Sequence, residues 1–123
     1  MIRKIPALTV IVLMASVLLG QQKTVTITGN LIDNACAESA KDLDTRARSH
    51  PTSCALMEKC QSSGYAVYAD HKLYKLDDKG NDSAVNLLKN TKTTKGVKVA
   101  VEGTVEGDTI HVTKLTEVTD TAN

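Results

Sequence analysis

Apolar and polar residues alternate with period two on either side of a stretch from Asp33 to Gly64, and the pattern breaks down within it. Thr24–Asp33 reads TVTITGNLID, in which Val25, Ile27 and Leu31 alternate with threonines. This β-branched alternation predicts a half-buried strand, and Gly29 within it predicts a bulge or sharp bend. Residues 65–70 and 72–76 predict two more strands. They are joined by a tight turn at Asp70-His71, which asks a histidine to adopt positive φ. Val97, Val99 and Val101 then alternate with Lys98, Ala100 and Glu102. Gly103 breaks that strand, Gly107-Asp108 forms a hairpin turn, and the last strand faces Ile110 and Val112 inward and His111 outward.

Helical spacing replaces alternation in two places. Over 51–62, Pro51 suits a first helical position and Ser53 an alternative N-cap. Leu56, Met57 and Cys60 share a face there, and Gly64 is placed to stop the helix. Over 82–90, Asn81 or Asp82 can cap a helix whose apolar face is Ala84, Val85, Leu87 and Leu88. Residues 34–53 have no period and carry Lys41, Asp42, Asp44, Arg46 and Arg48, which predicts a solvated loop. Together these elements predict a mainly β fold. It is a small OB-like five-stranded barrel, with a short helix at about 51–62 inserted between the first two strands and a second at about 82–90.

The first twenty residues change the picture. Arg3 and Lys4 precede an uncharged apolar run over 5–20, the form of a secretory signal. The run is somewhat short of the roughly 20 residues that span a bilayer. The expected organisation is a signal peptide at 1–20 and a single OB-like domain at 21–123, exported to the periplasm or beyond. Leu18 matches the −3 position of a cleavage site poorly, so an uncleaved N-terminal membrane anchor is the alternative, and it would be the only membrane contact. Of 15 basic residues, 13 remain after Arg3 and Lys4 are removed, against 14 acidic ones. That balance, with no Trp and no Phe, argues against nucleic acid as a partner. Tyr65, Tyr68 and Tyr74 are the only aromatic platforms for an oligonucleotide or oligosaccharide on the barrel face, a reading that rests on fold analogy alone.

The chemistry is concentrated between Asp33 and Gly64, which contains all three cysteines, Cys36, Cys54 and Cys60, and also His50. In one helix Cys54 and Cys60 would stand about 9 Å apart along the axis and roughly 120° apart around it. A disulfide needs Cα atoms within about 7 Å, so Cys36 is the better partner. Cys60 shares a helix face with Leu56, and Cys36 follows the first strand, so Cys36–Cys60 is the disulfide candidate and Cys54 the separate thiol. A disulfide is the default in an exported chain, and closing roughly 20 residues would add about 3 kcal/mol. The second reading is a metal site of Cys36, His50, Cys54 and Cys60, whose sulfurs and imidazole suit Zn²⁺ or Cu⁺. The third is a redox thiol at Cys54 near a helix start. There is no C-x-x-C, C-x-x-C-H, G-x-S-x-G or phosphate loop. Asp33 is read as a turn residue or as an orienter of a ligand.

Gly29, Leu31, Asp33 and Cys36, then His50 with Cys54, then Cys60 and Gly64, resemble an uncharacterised, cysteine-containing OB-like family of small exported bacterial proteins. Lys72, Tyr74 and Leu76 and the strand pair over 99–110 fit the same pattern. The family spacing places three residues between the last two cysteines, where this chain has five. The resemblance implies fold and location but no reaction. A weaker likeness is to periplasmic OB-fold stress proteins, which lack the cysteines. The expected function is a binding or structural module stapled by its cysteine cluster, not an enzyme. The alternative is a metal-handling or thiol-redox factor.

Overall fold

The computed structural model describes residues 23–119; the expected signal at 1–20 lies outside them. The protein is mainly β, with a five-stranded mixed sheet and short helices. β1 (Thr24–Asp33) pairs antiparallel with β4 (Lys98–Glu106) over its first seven residues, then with β2 (Tyr65–Ala69) over its last four, Asn30 belonging to both registers. β2 pairs with β3 (Lys72–Leu76), and β4 with β5 (Thr109–Glu117). A parallel seam of two residue pairs joins β3 to β5, so each strand has two neighbours and the pairings run β1-β2-β3-β5-β4 and back to β1.

Gly29 lies in the stretch where β1 changes partner. A Cβ there would come within 2.2 Å of the Tyr68 carbonyl oxygen, so its role is close backbone approach. The register irregularity falls instead at Glu102/Gly103. Asp70 and His71 both take positive φ, 49° and 62°, as their turn requires.

One face of the strands forms a core that includes Leu31, Val67, Val99, Val101 and Ile110, and Ala84 and Leu88 of α5 (Asp78–Asn90) pack into it. This helix starts four residues before the expected 82. Asp77 caps it by accepting the Gly80 amide at 3.0 Å, while Asn81 accepts the Tyr65 amide at 2.8 Å. Its buried residues are Gly80, Ala84 and Leu88, a single stripe at helical spacing.

The segment between β1 and β2 is more helical than expected. α1 (Asn34–Ser39) and α2 (Leu43–Ser49) occupy the predicted charged loop, capped by Asp33 and Asp42. Their Ala37 and Ala47 pack with Ile32 in a second core on the opposite face of β1, joined by Tyr68 and Leu73. The helix expected over 51–62 is two helices, α3 (Thr52–Ala55) and α4 (Glu58–Ser63). At the break Met57 is extended (φ −61°, ψ 143°). Side chains take the carbonyls freed there: Tyr65 Oη donates to Ala55 O at 2.6 Å, and Gln61 Nε2 to Leu56 O at 2.6 Å. Replacing intrahelical bonds in this way makes a helix interruption stable. Among the described residues no helix is long and apolar enough to cross a membrane.

Candidate metal centre

β1 ends at Asp33, which is 0% exposed. A carboxylate so placed must be fully partnered. Oδ2 accepts the Cys36 amide at 2.9 Å, the N-cap bond that starts α1. Oδ1 accepts a hydrogen bond from His50 Nε2 at 2.7 Å. His50 is itself 4% exposed and is held by the segment that leads into β4. Its carbonyl accepts the Gly96 amide at 2.9 Å, and the Thr52 amide donates to Thr94 O at 2.8 Å. The other ring nitrogen, Nδ1, is buried without a partner. With the Nε2 proton given to Asp33, Nδ1 is an unfilled acceptor in the neutral tautomer.

α1 and α4 are bolted together at their ends. The Asn34 amide donates to Gly64 O at 2.9 Å, Asn34 Nδ2 to Ser63 O at 2.9 Å, and the Ala35 amide to Ser63 Oγ at 3.1 Å. Ser63 Oγ donates in turn to Cys60 O at 2.7 Å. This clamp sets Cys36, on α1, beside Cys60, on α4. One donor atom each from Asp33, Cys36 and Cys60 lies within 4.8 Å of the others.

The three acidic groups perturb one another. Burial opposes ionisation of Asp33, but the His50 hydrogen bond and the Cys36 amide outweigh it, so its pKa lies below the usual carboxylate value. Burial, then the Asp33 carboxylate, push the Cys36 thiol up to about 12. The same two causes push Cys60 upward. Tyr65 is raised to about 12, first by burial and then by Asp33. Without a cation, the centre therefore holds one carboxylate and two protonated thiols, which are poor nucleophiles at neutral pH.

The sequence-predicted residues divide as follows. Cys36 and Cys60 come together as expected, with Cys54 outside the group. All three cysteines are free thiols, so the predicted Cys36–Cys60 disulfide is not formed; the two sulfurs share the Asp33 carboxylate as a third corner instead. Of the predicted metal set Cys36, His50, Cys54 and Cys60, only two belong to the cluster. The break after Ala55 puts Cys54 on a different helix from Cys60, and His50 spends its nearer nitrogen on Asp33. Asp33, read from sequence as a turn residue or orienter, is the centre of the group. The signal was there in D-x-x-C at the end of a strand, where an N-capping aspartate and a cysteine one turn on must be neighbours.

The three tyrosines do not form one face. Tyr65 is 0% exposed, with its hydroxyl on Ala55 O, and belongs to the core. Tyr68 packs with the second core and Tyr74 against the first. Lys72 Nζ sits 4.8 Å from the Tyr74 ring centroid. Residues 65 and 68 of one strand point to opposite sides, which excludes a shared platform.

No family model, curated protein or solved structure matches the chain.

Proposed function

We propose that this chain is an exported, OB-like barrel module that binds one thiophilic divalent cation, of the Zn²⁺ class, through Asp33, Cys36 and Cys60. The observation that carries this reading is the convergence of a carboxylate oxygen and two thiol sulfurs within 4.8 Å. Zn²⁺ takes thiolate at about 2.3 Å and carboxylate at about 2.0–2.2 Å. Two such donors on one tetrahedral ion stand roughly 3.5–3.8 Å apart, so the cluster needs to contract by no more than about an ångström. The mixed donor set favours Zn²⁺ over Cu⁺, which prefers sulfur alone.

Electrostatics support the same reading. Three acids crowded into a buried corner raise the cost of ionising the second and third, and a divalent cation removes that cost by displacing the thiol protons. The closed order of strand pairings and the N-terminal basic-then-apolar run support the barrel and the export. The module carries its chemistry as a binding site.

Zinc titration of the reduced protein, followed by native mass spectrometry, tests this reading. One zinc per chain is expected, with release of thiol protons. Cys36→Ser and Cys60→Ser should each weaken binding at least about 100-fold, and Cys54→Ser should not. A reduced wild-type protein that takes up no zinc, or one whose mass shows a Cys36–Cys60 disulfide that reforms at once in air and excludes zinc, overturns it.

A further inference from the structure

His50 stands at the centre without belonging to the donor group. Its Nε2 is 2.7 Å from Asp33 Oδ1, both side chains are buried, and its backbone is tied to the 94–96 segment by the Gly96 amide on His50 O. A buried histidine beside a candidate metal centre has two roles open to it. It can be a ligand, with its nitrogen directed at the cation. It can instead donate its N–H to a ligating carboxylate and fix that group's direction and charge.

We infer that His50 is a positioning residue that acts on the bound cation through Asp33, and that the protein ligands are Asp33, Cys36 and Cys60 alone. The inference rests on the cation reading above. Three observations carry it. The 2.7 Å contact commits Nε2 to the carboxylate. No ring nitrogen of His50 enters the 4.8 Å group that the two sulfurs and Asp33 form. Nδ1, the only nitrogen left, has no partner, which suits the tautomer that keeps the proton on Nε2. Asp33 is thereby held by two donors, the Cys36 amide on Oδ2 and the imidazole on Oδ1. It has little freedom to rotate away from the sulfurs.

The test uses the reduced protein with Zn²⁺ and Co²⁺ as probes. His50→Leu removes the N–H; His50→Gln keeps a side-chain N–H donor. For His50→Leu the expected result is a 10- to 100-fold loss of zinc affinity, the usual cost of losing such a partner. At saturation its cobalt spectrum should match wild type, because no ligand has been lost. His50→Gln should recover part of the affinity. In the wild-type protein, nitrogen NMR of the imidazole should show Nε2 still protonated after zinc loading, a readout that does not depend on any variant folding.

A changed cobalt spectrum at saturation in His50→Leu, or an Nε2 that loses its proton and moves to a metal-bound shift, makes His50 a ligand and overturns the inference. Zinc affinity in His50→Leu within about twofold of wild type also overturns it. Failure of the wild-type protein to bind either ion would instead count against the cation site itself.

Discussion

Asp33 joins backbone, thiols and imidazole, and its removal should be felt in several ways. Asp33→Ala strips the cap from α1 and leaves His50 Nε2 buried without an acceptor. The expected loss is about 3–5 kcal/mol, in the range for breaking a buried pair, measured by urea denaturation. The pH dependence has two limbs with opposite signs. The Asp33 pKa lies below its ordinary value of 3.8 in the folded protein, so its contribution is complete above that value and is lost as pH falls through the folded pKa. Cys36 is raised from 9.0 to about 12, so its contribution is complete below 9.0 and is lost as pH rises through about 12. Thermal melts should therefore weaken at both extremes, and Cys36→Ser should shrink the alkaline limb, which Cys60 and Tyr65 share, while leaving the acid limb in place. The meeting of Cys36 and Cys60 was legible in the sequence because Cys36 follows the first strand directly and Cys60 shares a helix face with Leu56, the face expected to pack on the sheet. The D-x-x-C spacing marked Asp33 as a neighbour of Cys36 but not as the buried centre, because a turn aspartate and a buried one look alike until the other neighbours are known. His50 was legible as a participant but not in its role, since spacing does not say whether an imidazole faces a cation or a carboxylate.

At the level of elements, strands were read well and short helices poorly. Five or more alternating positions announce a strand, whereas six or seven residues with a single buried alanine, as in α1 and α2, give almost no helical period. Asp42 and Thr45 do mark a cap there, with the Thr45 amide donating to Asp42 Oδ1 at 3.2 Å. The second core explains why these helices persist: Ile32, 0% exposed, is their anchor. Ile32→Ala should cost about 2–4 kcal/mol. Hydrogen exchange should show protection lost first over 34–49, before the strands. Gly80 in α5 offers a contest between two effects. Alanine is the better helix former by about 1 kcal/mol, but its Cβ would lie 2.6 Å from Val112 Cγ2 and 2.9 Å from Leu76 Cβ. Overpacking of that kind costs roughly 1–3 kcal/mol. Gly80→Ala should therefore lower the melting temperature, and a rise would show that β5 yields easily.

Over the whole molecule, the ring of strands has one short seam, the two-residue parallel pairing of β3 with β5. Asp77 reinforces it: its amide donates to Ile110 O at 3.1 Å and its Oδ1 accepts the Val112 amide at 3.2 Å. Asp77→Ala removes the α5 cap and leaves the Val112 amide without this partner. A loss of about 1–2 kcal/mol is expected, with the fastest new exchange at Val112.

Asp33 and Tyr65 face each other as one rung between β1 and β2. Everything that carries chemistry leaves the sheet at that rung and returns to it. Such a segment is modular: substitutions within it can retune the Asp33, Cys36 and Cys60 cluster while the strands keep their own constraints, and another hairpin would be able to host it. The transplant would have to carry the strip around Thr93, Thr94 and Gly96 as well, because Thr52 Oγ1 donates to Thr93 O at 2.7 Å and the Gly96 amide closes on His50 O. The cassette is thus discontinuous in sequence, and a graft of residues 33–65 alone would bring both thiols but leave His50 and Thr52 without their backbone anchors.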